Sequence, residues 1–501
     1  MAACCFAFSI AITCNIGFAV DQTYNISYIA EASNPYVNGL PTACSPAVGT
    51  SCVYGDIWAE NGYAYVGTDV NNGGVNVFSI ANPASPQFMR NPTNLTGTIT
   101  KPTYVGDQFE DVEVWDGVGY FASDTNTSTG TGVDIVDLSI PFQPILLSRV
   151  NSTIGGHNKV HTLSVSNGYL YTTDNDTGNY GAADFVKVFN VSDPVHPSLV
   201  ASVPITAPEA IASHEVIVRD GRMYVASKNN TTGAGYTHIF DVSNPASPVL
   251  LKSFASGSRS HTSLPTADGK LLIVAEERPN GNVSIYDISN INSPNDPDNP
   301  VLKSTINRTS AGIDATSPHH PHLHGNLLFL PWYEAGLQVF NITNPASPVH
   351  VGSFDTYVGN SPSSSYAGDW GVDLSMGLKR VLLSDRNRGL IVVDASGVLL
   401  PGDYNQDMKV DQADYAVWRA SVGTGTSGLH TAAYADGNYD GLVDGADYVI
   451  WRKHLGETGP VGHGAGSDAF IVESAVPEPA SVTFFAVGAA LMGLRRRQRV
   501  A

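Results

Sequence analysis

The sequence predicts an all-β fold, a seven-bladed β-propeller, with a small α-helical domain after it. Two repeats in the 501 residues lead there. One is a phrase of alternating apolar residues that closes on an Asn/Asp-Pro turn and recurs through most of the chain. The other is a tandem pair of Asp-rich loops near the C-terminal end, each followed by a stretch with helical spacing. Period-two alternation marks a strand buried on one face. Recurrence every ~50 residues matches a blade of four strands.

The N-terminal stretch from Met1 to Ala19 is apolar and nearly uncharged, and Gly17-Phe18-Ala19 forms a small-x-small cleavage signal. It predicts a signal peptide over residues 1–19. No basic n-region precedes it, which fits a true start upstream. Cys4, Cys5 and Cys14 leave with this segment, and Cys44 and Cys52 remain. In an exported chain an even pair reads most simply as a disulfide, with two free thiols as the alternative.

The propeller is expected over residues 20–400. Its repeated phrase begins at Val75, Val133, Val186, Thr237, Val283 and Leu337, with a truncated copy at Leu390. Before each copy lies a hairpin, with its turn at Asn61-Gly62, Asp116-Gly117, Asn167-Gly168, Asp220-Gly221, Asp268-Gly269, His324-Gly325 and, more loosely, Met376-Gly377. Asn-Gly and Asp-Gly suit two-residue turns with positive φ. The seventh unit stops at Asp394 without a fourth strand. The segment Tyr24 to Ala30 resembles the missing strand and is expected to close the ring. These repeats resemble the LVIVD-repeat propellers, in particular the secreted choice-of-anchor B group. His261 to Glu277, Gly336 to Tyr357 and Asp385 to Asp394 carry the likeness. The resemblance implies a fold and leaves activity open.

Seven positions align at the start of each unit's first strand: Gly55, Glu110, His161, His214, His261, His319 and Trp370. First strands line a propeller's channel, so Glu110, His161, His214, His261 and His319 form a candidate channel ligand site. His320, His322 and His324 lie beside it. Three readings stand: imidazoles bonded to the next blade's backbone, a ligand or transition-metal site, or general-base catalysis. The sequence contains no Ser/His/Asp nucleophile motif, phosphate loop or HExxH zinc signature, and no catalytic residue is assigned.

From Gly402 the pattern changes. Asp403, Asn405, Asp407, Asp411 and Asp414 repeat 33 residues later as Asp436, Asn438, Asp440, Asp444 and Asp447. These are oxygen donors at loop positions 1, 3, 5, 9 and 12, and Lys409 and Leu442 supply backbone carbonyls at position 7. Calcium wants six to eight such oxygens. The pair, residues 402–456, resembles a type I dockerin, an EF-hand-like calcium-binding domain, and calcium is the implied cofactor. Position 6 requires a left-handed turn. Gly441 meets this in the second loop, but Met408 occupies it in the first, so the first loop is expected to bind more weakly.

After a linker at 457–475 come Val476-Pro477-Glu478-Pro479, an apolar stretch from Ala480 to Leu494, and Arg495, Arg496, Arg497 and Arg499. This order resembles the PEP-CTERM sorting signal, in which Pro477, Glu478 and Pro479 would be read by an exosortase that removes the tail. It implies an exported protein at the cell surface, outer membrane or extracellular matrix of a Gram-negative-type bacterium. The C-terminal segment would hold it to the membrane before processing, with the arginines on the cytoplasmic side.

With 46 Asp and Glu against 26 Lys and Arg, the net charge is −20. That balance argues against nucleic acid, which needs a basic stripe. Two functions remain. One is a non-enzymatic surface binding module whose dockerin-like pair docks to a cohesin-like protein or a surface or matrix component. The other is an extracellular hydrolase or lyase acting on polysaccharide, with its site in the channel.

Overall fold

The computed structural model describes residues 23–33, 54–69, 73–92, 102–125, 131–174, 184–207, 211–293, 300–313, 317–357, 366–424 and 434–459. They belong to one compact unit, Met1–Gly462. The expected signal peptide, Cys44, Cys52, most of the linker, and Pro477, Glu478 and Pro479 with the apolar tail lie outside the described residues.

The fold is all-β apart from short helices, and its sheets are antiparallel. Five four-stranded sheets and one nine-stranded sheet make it up. The nine-stranded sheet contains two strand groups, Tyr54–Val105 and Phe109–Val150, that share a single bridge, Thr68 to Phe109. With these counted separately, the strands of the described residues fall into seven consecutive sets. Each set begins on an inner strand: Tyr54–Glu60, Phe109–Trp115, Thr162–Ser166, Ala212–Arg219, Ser260–Pro265, His322–His324 and Asp369–Asp373. In the first set the outer strand is split, because both Gln87–Phe88 and Tyr104–Val105 pair with Gly74–Ser79.

The last set draws its fourth strand from the other end of the chain. Ser27–Ala32 pairs antiparallel with Gly389–Asp394, Ser27 opposite Asp394 and Ala32 opposite Leu390. Ile26, just before it, is buried among Val351, Leu378, Val393 and Val398. The core is divided in the same cyclic way. One apolar cluster joins Tyr171, Val186 and Val188 to Val216 and Val225 of the following set. Another joins Leu382, Leu390 and Val392 of the last set to Tyr54, Ile57 and Phe78 of the first. Apolar residues recurring at every second position on both faces of each sheet bury against both neighbours, and that burial is the main force closing the ring.

Turn chemistry follows the dipeptides. Asn61, Asp116, Asn167 and Asp220 all have φ of 50°, and Gly62, Gly117, Gly168 and Gly221 lie between 74° and 81°. Both central residues are left-handed, as the expected two-residue turn requires. At Asp268-Gly269 only the glycine has positive φ, and in the sixth hairpin the strands end at His324 and resume at Leu327, so the turn is Gly325-Asn326, one residue later than expected, again with only the glycine positive. At the first of these, Gly269 N–H donates to Thr266 and Thr266 N–H to Leu271, closing a longer loop.

The Asp-rich segment forms two helices, Gln412–Ser421 and Gly445–His454, each with a capping box. The two halves hold each other reciprocally. Trp451 Nε1 donates to the Asp411 carbonyl and Trp418 Nε1 to the Asp444 carbonyl, both at 2.7 Å. Val410 bonds to Gly456 and Glu457, as Val443 does to Gly423 and Thr424. A bridge between Lys409 and Thr458 carries this structure past the expected boundary at 456. The module sits on its own propeller. Gln406, 2 % exposed, accepts from Asn326 N–H at 2.7 Å through Oε1. Its carbonyl accepts from Asn341 Nδ2 and Thr343 Oγ1.

Candidate functional site

The aligned inner-strand positions come together. His161, His214, His261, His319 and Trp370 form a continuous arc, with successive ring centroids 4.3, 4.3, 4.3 and 4.1 Å apart. Arg386 stacks on the outer end of the arc, 4.2 Å from the Trp370 ring. Glu110 lies at the other end, its Oε2 3.5 Å from His161 Nδ1. Gly55 fills the remaining position, where a Cβ would come within 2.7 Å of the Glu110 carbonyl. Glu110, His214, His261 and Trp370 each sit at a register shift in their strand, as does the Gly55 region. A β-bulge turns a side chain that would point between sheets into the channel.

The histidines are not equivalent. His319 Nδ1 donates to the Trp370 carbonyl of the next set at 2.7 Å, the backbone bond of a structural role. Its Nε2 is buried with no hydrogen-bond partner, and so is His214 Nδ1. His261 Nδ1 lies 2.8 Å from Thr262 Oγ1 and 3.3 Å from Glu215. The Thr262 hydroxyl in turn donates to Glu215. His161 Nδ1 faces Glu110 and Asp124, each at 3.5 Å, and its Nε2 lies 3.2 Å from His214 Nε2.

Burial opposes charge on His161, but Glu110 and Asp124 outweigh it and push the imidazole up to about 10. Burial, together with Lys228 and the neighbouring histidines, holds His214 well below its ordinary value. His319 is lowered by burial and then by His261. Glu277 and Glu215 are held low despite their burial, Glu277 by His261 and His319 and Glu215 chiefly by His320.

Several channel residues were missed in the sequence. Asp111, Glu113 and Glu215 lie deeper on the inner strands. Asp111 accepts from Leu163 N–H at 2.6 Å and Glu113 from Val165 N–H at 2.9 Å, so carboxylates cap the exposed edge of the next sheet. Asp373 does the same for Ala59 N–H at 2.9 Å. Glu277 belongs to another tier, at the end of the second strands, with Asp69, Asp124, Asp174 and Arg386. The sequence carried a signal for this tier, a polar or charged residue directly after six of the seven hairpins' return strands, with Trp332 in the sixth set. Among the described residues two sets of three donors lie mutually within 4.8 Å: His214, His261 and Glu277, and Glu110, Asp124 and His161. Both have a basic neighbour, Lys228 acting on His214 and Glu277 of the first and Lys159 3.2 Å from Asp124 of the second.

Below the arc opens a cavity of 1080 Å³ lined by residues on or just before the inner strands of all seven sets, including His161, His261, His319 and His320. Tyr434, Asp436, Tyr439 and Asp440 of the helical module border it, so the second Asp-rich loop stands at its rim.

The two loops share one scaffold. Asp403 accepts from the N–H groups of Asp407 and Met408, and Asp436 from those of Asp440 and Gly441. Asp414 and Asp447 each accept from the loop start and from the helix cap. Met408 has φ of 68° and Gly441 of 94°, so the left-handed requirement at position 6 holds in both loops. Burial, then Asp414 and Asp407, raises Asp403 to about 7. None of these carboxylates has a Lys or Arg ion pair among the described residues. Crowded oxygens without a basic partner fit a hard divalent cation. Among the described residues the loop carboxylates do not form a triad as tight as those in the channel.

The LVIVD repeat family matches residues 54–93, 212–256 and 322–356. These fall on three of the strand sets, and the chain is a β-propeller repeat protein. Solved structures similar to it include the WD40 β-propeller domain of Doa1, with 12% identity over 74% of this chain and 97% of that chain and a TM-score of 0.46. The periplasmic gluconolactonase of Pseudomonas aeruginosa has 14% identity over 65% and 89%, with a TM-score of 0.45. The Cps50 (Swd1) β-propeller domain of Myceliophteria thermophila has 11% identity over 68% and 97%, with a TM-score of 0.44. No curated protein matches the chain significantly.

Proposed function

We propose that this chain is an exported seven-bladed propeller that acts as a ligand-binding module at the cell surface and is stabilised by calcium in a dockerin-like domain. The observation that carries the reading is the pair of donor loops with matching hydrogen bonds and no Lys or Arg ion pair among the described residues. Asp403, Asn405, Asp407, Asp411 and Asp414 with the Lys409 carbonyl hold one ion. Asp436, Asn438, Asp440, Asp444 and Asp447 with the Leu442 carbonyl hold the other. Seven blades follow if the nine-stranded sheet is two blades sharing one bridge. Gln406 seats the module on its own propeller, which leaves its exposed face for a cohesin-like or matrix partner. Export and surface sorting rest on the apolar N-terminal stretch and on Pro477-Glu478-Pro479.

A second reading, an extracellular polysaccharide hydrolase or lyase, is favoured by the carboxyls facing the cavity. Burial raises Glu110 to about 8 and Glu113 to about 7, values suited to proton transfer near neutrality.

Thermal unfolding of the full chain with Ca²⁺ and with chelator tests the first reading. Free Ca²⁺ at about 100 times Kd should add about 2.7 kcal/mol per independent site. Asp440→Ala should remove more of this gain than Asp407→Ala, because Met408 strains the first loop. Equal melting with Ca²⁺ and chelator would refute calcium binding.

A further inference from the structure

We infer that the channel holds one transition-metal cation, bound by His214, His261 and Glu277 beside the cavity that His261 borders. This site is separate from the calcium loops and does not rest on them.

Geometry comes first. His214 Nε2 and His261 Nε2 lie 4.0 and 3.8 Å from the same oxygen, Glu277 Oε2. All three donors lie within 4.8 Å of one another. Ligands around a four-coordinate ion at ~2.0–2.2 Å stand roughly 3.3–3.6 Å apart, so a small inward movement closes the site. The next nitrogens in the arc are at hand, with His161 Nε2 3.2 Å from that of His214 and His319 Nε2 buried without a partner.

The outer ends of the rings are the second observation. A metal-bound histidine commonly donates its other N–H to a carboxylate or a backbone carbonyl, which fixes the ring and its tautomer. His261 Nδ1 is tied to Thr262 and, through it, to Glu215. His319 Nδ1 is tied to the Trp370 carbonyl and His161 Nδ1 faces two carboxylates. Glu277 is itself oriented by the Tyr333 hydroxyl at 2.7 Å. The outer nitrogens of His261 and His319 are tethered, that of His214 is buried without a partner, and the inner nitrogens of His214 and His261 face the same Glu277 oxygen. Hydrogen bonding between sheets would not by itself leave buried nitrogens unmatched.

Ligand chemistry selects the ion. Two or more imidazoles with one carboxylate suit Zn²⁺, Co²⁺, Fe²⁺, Ni²⁺ or Cu²⁺, and not Ca²⁺ or Mg²⁺, which prefer all-oxygen sites. His261, His161 and His319 also line the cavity, which leaves a coordination position on that side open to a small ligand.

The test uses the untagged full chain, stripped of metal and returned to excess Ca²⁺ so that the Asp-rich loops are filled. Co²⁺ is then added. One equivalent should bind, give visible d–d bands of a low-coordinate nitrogen/oxygen site, and be displaced by Zn²⁺. His261→Gln and Glu277→Gln should each weaken binding tenfold or more. His238→Gln should bind like wild type, since that buried histidine bonds to Ser227 and Ser253 away from the arc. If His261→Gln does not fold, Glu277→Gln carries the test alone, because its amide oxygen still accepts the Tyr333 hydroxyl. Absence of the Co²⁺ bands in wild type, or unchanged binding in Glu277→Gln, would overturn the site. The calcium response is measured by melting, so either result can fail without the other.

Discussion

Replacing Ile26 with Ala tests whether the N-terminal strand closes the ring. Ile26 is 3 % exposed, and its side chain lies among Val351, Leu378, Val393 and Val398, between the last two strand sets. Cutting a buried Ile to Ala costs about 2–5 kcal/mol, from lost transfer energy and the cavity left behind. A cost of about 3 kcal/mol, inside that range, corresponds to roughly a hundredfold in an opening equilibrium. The strand that would open pairs with Gly389–Asp394, so the effect should be local. Hydrogen exchange followed by mass spectrometry reads it directly, since local openings have their own free energies. Protection across Gly389–Asp394 should fall about a hundredfold, while Arg222–Lys228 on a distant set should change little. Tyr28→Ala is the control. Tyr28 is 50 % exposed and touches Phe354 only at its ring, 6.4 Å between centroids. It should cost well under ~1 kcal/mol. A fall of less than about fivefold at Gly389–Asp394 in Ile26→Ala, or an equal fall in Tyr28→Ala, would refute the closure argument.

Two further expectations concern docking and pH. Gln406→Asn tolerates the left-handed backbone at that position, φ of 60°, but is too short to reach Asn326 N–H. Leaving that N–H without its acceptor costs about 1–3 kcal/mol. Amide exchange at Leu323–Asn326 should speed up accordingly, and unchanged exchange would show that the module is held elsewhere. Burial raises Asp373 to about 6, only partly offset by bonds from Ser375 and Ala59. Its folded value lies above its unfolded one, so its contribution to stability is complete below about pH 4 and is lost as pH rises through 6. Between pH 4 and pH 8 the unfolding free energy of wild type relative to Asp373→Asn should fall by up to about 3 kcal/mol. A flat difference across that range would show that Asp373 is not the group responsible.

Much of this molecule could be read without its structure, because the signals are local. Period-two alternation, Asn-Gly and Asp-Gly turns and a tandem spacing of oxygen donors each act within a dozen residues. The closing strand was legible too, since Tyr24 to Ala30 repeats the pattern of other outer strands. Even the arc of His161, His214, His261 and His319 was visible, because duplication keeps an inner-strand position in register from unit to unit. What the chain alone left open was which faces of those rings are used. Glu277, Tyr333 and Glu215 approach them from other strands and other sets, and no spacing in sequence encodes that meeting. The bulges that aim Glu110, His214, His261 and Trp370 into the channel are likewise a property of strand pairing. Gln406 carries no motif at all, and its role arises only where a loop meets the sixth strand set. Local periodicity is written into neighbouring residues. Convergence on an axis is decided by the packing of sheets that lie far apart in sequence, and only the folded ring brings those groups within a few ångströms.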